Sequence, residues 1–363
     1  MVWHVYFCSI IMQTDIIIVG QGISGTMLSW FLHKEGKRFV VVDNNAAFAS
    51  SKVAAGIINP VTGRRYVYSW MIDTLMPFAY DTYTQMGNYL GIEVIRQKSV
   101  IDFFASPQML DAFATRLTEN DTFLHTYPDQ NHFNQFFNHP FGCGEIRPAY
   151  VTNLSLLLSS WRQRLTELNC LREETFDAQV LSVISDGVQW GDITAQQLIF
   201  CDGATAIENR WFNLLPFSLN KGEALFIESE GLTNEHIFKI GMLLAPLAQK
   251  NLFWVGSNYQ LQYEDEKPSE AFYTKTKAHL EQWLKVPFKI VDHKAAVRPA
   301  TIERRPFVGF HPLHNNVGIL NGMGTKGTSL APFFAHQLVQ HLVYGFPITP
   351  EADVKRFSRI LSK

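Results

Sequence analysis

The 363 residues carry 31 Lys and Arg against 33 Asp and Glu, a formal net charge of −2, with 47% hydrophobic and 13% aromatic content. That balance leaves no electrostatic footprint for nucleic acid or an anionic membrane, which disfavours RNA and DNA as partners. The length exceeds what one hydrophobic core usually organises, so two domains in a well-packed globular protein are expected.

Residues 1–11 are apolar but lack a basic leader region and a small-residue cleavage site, and they are too short to span a bilayer. Met12 is a credible start, and residues 1–11 are read as either a non-native stretch or a loosely attached N-terminal strand. No other segment approaches membrane-spanning length. Asp15 to Val19 supplies four β-branched residues for a buried strand, followed by Gly20-x-Gly22-x-x-Gly25 and a helix. The pattern assigns Gly20 to the tight turn, Gly22 to the approach of a pyrophosphate, and Gly25 to close helix–strand packing. The helix N-terminus, with Ile23 and Ser24 in its first turn, offers N–H groups and a favourable dipole to phosphates. Phe39 to Val42 forms the second strand, and Asp43 ends it where a ribose-binding carboxylate belongs.

Ser50 to Pro60 is rich in small residues, which either start a helix packed under a sheet or let backbone lie flat against a planar ligand, with Ser51 as a hydroxyl donor. A helix is expected over 75–90, and another near 152–168 with a stripe of Leu154, Leu157, Leu158, Trp161 and Leu165. Strands follow at 178–184 and 187–190 with Asp186-Gly187 between them, then at 197–200 running into Cys201-Asp202-Gly203. Further strands are expected at 224–227, 252–256 and 288–291, with a helix over 268–285. The strand at 317–320 ends in a second glycine-rich turn, Gly322 to Thr328, before the closing helix. Two such turns about 300 residues apart suit a long cofactor held at both ends. The cysteines Cys8, Cys143, Cys170 and Cys201 show neither C-x-x-C nor zinc spacing, so reduced thiols, a cytoplasmic location and no metal site are expected.

Taken together, these segments resemble the D-amino-acid oxidase superfamily of FAD-dependent oxidoreductases, which includes glycine oxidase and sarcosine oxidase. The carriers are Gly20-x-Gly22-x-x-Gly25 with Asp43, Ser51-x-x-Ala54-Ala55-Gly56, Val180, Cys201-Asp202-Gly203, Arg298-Pro299, Pro306 to Gly309, and Gly322 to Gly327. The Gly324-Thr325-Lys326-Gly327 loop is most similar to the oxidoreductase half of the bifunctional enzyme that modifies the tRNA wobble uridine. The resemblance implies an α/β fold with a Rossmann-like FAD-binding domain and a parallel sheet. That domain is interleaved with a smaller α+β substrate domain built on a mixed or antiparallel sheet. Residues 12–75, 145–215 and 292–363 fall to the first, and 76–144 and 216–291 to the second.

By the same resemblance, Asp43 with Asn44 holds the adenosine ribose, and Val180 passes its backbone beneath the adenine. Gly20 to Gly25 cradles the pyrophosphate, with Cys201 and Gly203 beside it. Ser51, Ala54, Ala55 and Gly56 line the ribityl chain. Gly322, Gly324, Thr325, Lys326, Gly327 and Thr328 face the flavin N1–C2=O side. Relatives carry a small residue where Asp202 stands, so its carboxylate must turn away from the phosphates. No cysteine follows Cys201 and residues 40–60 contain no histidine, so FAD is expected to be non-covalent. The implied reaction oxidises the C–N bond of an amino acid or N-substituted glycine by hydride transfer to flavin N5, with oxygen or a quinone as electron acceptor. Arg298 is the candidate anchor for a substrate carboxylate. Tyr259 is a candidate hydroxyl, and Lys326 either a charge beside the flavin or the substrate or a solvent-facing side chain of which only the backbone matters. An NAD(P)-dependent dehydrogenase built on the first loop alone and a non-catalytic flavin-binding module are the alternatives.

Overall fold

The computed structural model describes residues 12–119 and 122–363, so the expectation for residues 1–11 lies outside the described residues. The β-branched run near the start forms the strand Met12–Val19, central in an eight-stranded sheet. It pairs in parallel with Phe39–Val42 on one side (Ile18↔Val41) and with Ile193–Phe200 on the other (Ile18↔Ile199). Alternation sends Ile16 and Ile18 into the core shared with the helices, and Ile17 and Val19 into a second core on the opposite face. Burial on both faces is why the run is continuously apolar. The strand Ile193–Phe200 divides its partners. Its first half takes the hairpin strand Gly187–Trp190 (Val188↔Ala195), and its second half takes Val317–Asn321 in parallel (Leu198↔Val317).

Helix Ile23–Lys34 packs against Gly327–Tyr344 and Leu154–Glu167. The indole of Trp161 donates to Ser29 Oγ at 2.8 Å, a buried polar contact that fixes one of these pairings.

The second sheet has nine strands. Its main order is Lys289–Arg298, Asn220–Glu228, Leu252–Gly256, Met242–Pro246, Ile237–Ile240, Ile95–Phe103, Cys143–Thr152, Ile57–Ile58. All pairings are antiparallel except that of Ile237–Ile240 with Ile95–Phe103. One face packs on helix Glu270–Trp283, where Leu225 and Ile227 join Phe272, Leu280 and Trp283. The other face contributes Ala224, Ala245 and Trp254 to the same core as Ile16, Ile58 and Leu320. The sheets therefore meet along that face.

One strand runs further than expected, and one was not expected at all. Residues 288–291 read as a short strand, whereas the observed one continues to Arg298 because its charged residues lie on a half-exposed edge and mask the pattern. Cys143–Thr152 also joins the second sheet, so sheet membership departs from the divisions drawn at 144 and 292. Among the described residues, no helix is long and apolar enough to cross a membrane.

Candidate active site

Three chain segments meet at the first glycine loop. Gly20 has φ +97°, and a Cβ there would meet the Cys201 carbonyl oxygen at 2.6 Å. A Cβ on Gly25 would collide with the Gly20 carbonyl oxygen. Glycine is therefore demanded by backbone on both sides. The N-cap residue Gly22 offers no side chain to the helix, and the Ile23 N–H donates instead to Ser51 Oγ at 3.0 Å. Ser24 and Ser51 are buried, as are Ala55 and Gly56, while Ala54 is exposed. Gly56 lies against the backbone of Thr152.

Both carboxylate oxygens of Asp43 accept hydrogen bonds. Its Oδ2 accepts the Gln21 N–H at 2.8 Å, and its Oδ1 accepts the Asn45 N–H at 2.8 Å and Arg162 at 2.7 Å. Arg162 also reaches Gln21 Oε1 at 2.9 Å, the Asp43 carbonyl at 3.1 Å and Glu173 at 2.8 Å. Sequence reasoning missed Arg162. It borders the stripe of Leu158, Trp161 and Leu165, but no local pattern links it to position 43. The Asn44 side chain turns to Thr175 Oγ1 at 3.2 Å. Val180 stands half-exposed just before the hairpin strand Leu181–Ile184.

Asp202 turns to two amides. Its Oδ1 accepts Asn321 Nδ2 at 2.9 Å and its Oδ2 accepts Asn209 Nδ2 at 3.2 Å. Burial pushes its carboxyl up from 3.8 to about 6, against the lowering effect of these bonds. Burial also raises the neighbouring Cys201 thiol, which makes it an inert core group. Asn321 continues into Gly322, and the Gly324 N–H donates to the Pro299 carbonyl at 3.0 Å. This bond joins the second glycine loop to the segment that carries Arg298. Thr325 is exposed, Gly327 begins the closing helix, and the buried Thr328 offers its carbonyl to the Tyr83 hydroxyl at 2.8 Å. Lys326, half-buried, donates from Nζ to Ser69 Oγ at 2.8 Å. Burial lowers its pKa, and Arg304 and Arg305 lower it further.

Arg298 ends its strand with a guanidinium held by neutral acceptors. Nη1 donates to Asn220 Oδ1 at 2.8 Å and to the Asn258 carbonyl at 3.2 Å, and Nη2 donates to Ser257 Oγ at 2.8 Å. It lies across Gly222, where any Cβ would collide with it. Burial lowers its pKa, and among the described residues no carboxylate forms an ion pair with it. Asn258 is in turn fixed by the buried Glu223, whose N–H it accepts at 2.7 Å and whose carboxylate it meets at 3.3 Å. Tyr259, next along, is 55% exposed and close enough to act electrostatically on Arg298.

The glycine contacts, the helix N-terminus held by Ser51 and the doubly engaged Asp43 make a cradle that fits a dinucleotide. The sequence profile of the DAO family, described as FAD dependent oxidoreductase, matches residues 15–341. The chain belongs to that family. Its enzymes are FAD-dependent oxidoreductases, and FAD is the cofactor this cradle fits. Solved structures of similar fold include glycine oxidase from Geobacillus kaustophilus, at 19% identity and TM-score 0.78 over 94% of this chain and 98% of that one. Iminodiacetate oxidase from Chelativorans sp. BNC1 aligns at 16% identity and TM-score 0.73 over 95% and 98%. L-proline dehydrogenase from P. horikoshii aligns at 14% identity and TM-score 0.75 over 96% and 98%. The FAD-dependent α/β fold with a mixed second sheet is thus the expected one.

Proposed function

We propose that this enzyme oxidises the C–N bond of an amino acid or N-substituted glycine whose carboxylate is held by Arg298. The observation that carries this reading is a covered guanidinium with three neutral partners and no acid. A buried charge left without a counter-ion is costly, and a bidentate substrate carboxylate satisfies it. Gly222 gives the guanidinium its berth, while Asn220, Ser257 and Asn258 fix its orientation, so that the substrate arrives with its C–H bond positioned before any chemistry. FAD supplies the hydride acceptor. A neutral amine needs no strong base for this step, and orientation is what the chain contributes. The names of the three structural relatives, a glycine oxidase, an iminodiacetate oxidase and a proline dehydrogenase, describe enzymes of amines that carry carboxylates.

We assign the first sheet and its helices to FAD, and the second sheet to the substrate. In this assignment Gly20 to Gly25 with Gly203 hold the pyrophosphate, and Asp43 the ribose. Ser51 to Gly56 and Gly322 to Thr328 flank the ring system, and Tyr259 borders the substrate. The three unpaired thiols among the described residues support a cytoplasmic location. The test is Arg298→Ala in the FAD-loaded enzyme. Substrates with a carboxylate should lose about 2–5 kcal/mol in kcat/KM, and amines without one should change little. An equal loss for both classes would make Arg298 a structural residue.

A further inference from the structure

Behind the Arg298 anchor stands a carboxylate that the chemistry above leaves unused. Glu223 lies on the strand Asn220–Glu228 and is fully buried. Its neighbour Gly222 faces the guanidinium, so strand alternation turns Glu223 to the opposite side of the sheet. Donors converge on it there. Oε2 accepts the Ser269 N–H at 2.6 Å and lies 3.1 Å from His293 Nε2. Oε1 accepts the Ser269 hydroxyl at 2.8 Å and Asn258 Nδ2 at 3.3 Å, with Lys221 Nζ at 3.8 Å.

Asn258 links this carboxylate to the anchor. Its Oδ1 accepts the Glu223 N–H at 2.7 Å, which leaves its amide only one orientation, with Nδ2 toward the carboxylate. Its backbone carbonyl accepts Arg298 Nη1 at 3.2 Å, and the preceding Ser257 accepts Nη2 at 2.8 Å. Two of the three acceptors that aim the guanidinium therefore belong to a segment that Glu223 grips by backbone and side chain. A carboxylate buried this deeply is costly unless its lone pairs are taken, and here they are taken by the groups that must stay in place. Helix Glu270–Trp283, at the other side of the cluster, has a cap of its own in the Ser269 hydroxyl, which accepts the Phe272 N–H at 3.3 Å.

We propose that Glu223 is a positioning residue for carboxylate recognition. By clamping the Asn258 amide it sets the direction of the Arg298 guanidinium from behind the sheet, without touching the substrate. The inference rests on the reading of Arg298 as the carboxylate anchor.

The experiment measures two thioether ligands on the FAD-loaded enzyme, with binding read from the flavin absorbance. Methylthioacetate carries the carboxylate, methylthioacetamide is its neutral isostere, and in both sulfur replaces the amine and blocks oxidation. The wild-type enzyme should prefer methylthioacetate. In Glu223→Gln the short bond from the Ser269 N–H holds the amide oxygen at the Oε2 place, which turns the amino group onto Asn258 Nδ2, donor against donor. The preference should fall about three- to tenfold, with little change for methylthioacetamide. Loss of the negative charge alone would strengthen carboxylate binding, so a fall reports position and not charge. Asn258→Ala keeps the carbonyl that meets Arg298 and should give a similar fall, and the double variant should lose no more than the larger single. Ser269→Ala should lower Tm through the lost cap and leave the preference intact. A preference unchanged or raised in Glu223→Gln, losses that add in the double variant, or an equal fall in Ser269→Ala would overturn the positioning role alone. If Glu223→Gln does not fold, an unchanged preference in Asn258→Ala overturns it. A wild-type enzyme that binds both ligands equally, or neither, removes the carboxylate reading of Arg298 and this inference with it.

Discussion

Arg162 and Arg298 are both largely covered guanidiniums, and the chain meets them in opposite ways. Arg162 has Asp43 at 2.7 Å and Glu173 at 2.8 Å, with every contact made inside the protein. Arg298 has two amide groups and a hydroxyl, all neutral. The first arrangement is closed: charge is balanced, and Arg162 ties Gln21 to Asp43 in the loop proposed to hold a nucleotide. The second is open: the guanidinium is fixed in direction but not neutralised, which leaves its charge for a ligand. The contrast separates a cation neutralised within the fold from the cation proposed to anchor the substrate.

The closed region can be broken at its tightest point. Gly25→Ala places a methyl group on the Gly20 carbonyl, which is backbone and cannot rotate away. Overpacking of this kind should cost about 3 kcal/mol, and the purified protein should have a lower Tm and little bound FAD. A yellow protein of normal Tm would show that the loop has room the contacts deny. Arg162→Met keeps the stem of the side chain and removes the charge. Asp43 would keep its two backbone donors but lose its counter-ion, weakening FAD in an apoprotein titration by about 2 kcal/mol. Unchanged affinity would mean that the two backbone N–H groups alone set Asp43.

A gentler test concerns Asp202, one residue beyond Cys201. Its folded-state pKa lies near 6, above the ordinary 3.8, so the folded protein favours the protonated acid. Its contribution to stability is present in full below about pH 4 and is lost as pH rises through about 6. FAD affinity should fall over the same window, since ionisation puts charge beside the loop assigned to the phosphates. Asp202→Asn should flatten both profiles. If they keep the same slope in the variant, another group titrates.

How much of this was legible follows from range. The Gly20, Gly22 and Gly25 spacing is demanded locally by backbone, so it can be read without a structure. Arg298 was equally visible from its place before Pro299. Its isolation from acids was not, because that depends on what strands 220–228 and 252–256 bring near. Arg162 reaches Asp43 across 119 residues, and Lys326 reaches Ser69 across 257. Such pairings leave no periodicity in the chain. The sequence also left the Lys326 side chain undecided between flavin, substrate carboxylate and solvent, whereas its hydrogen bond is to a serine of the 59–71 segment. Asp202 was expected to turn away from the loop assigned to the phosphates, and its bonds to Asn209 and Asn321, distant in sequence, give its oxygens those other partners.

The central claim is that the open guanidinium selects amines by their carboxylate, and anaerobic titration of the FAD-loaded protein tests it most directly. Glycine, sarcosine, D-amino acids and N-alkyl amino acids are added in turn, each beside its carboxylate-free counterpart such as methylamine or dimethylamine, while the flavin absorbance is followed. The account predicts that one or more of the carboxylate-bearing amines bleaches the flavin and that its counterpart does not at the same concentration. Bleaching to the same extent by both members of each pair, or by none of the panel, would contradict it.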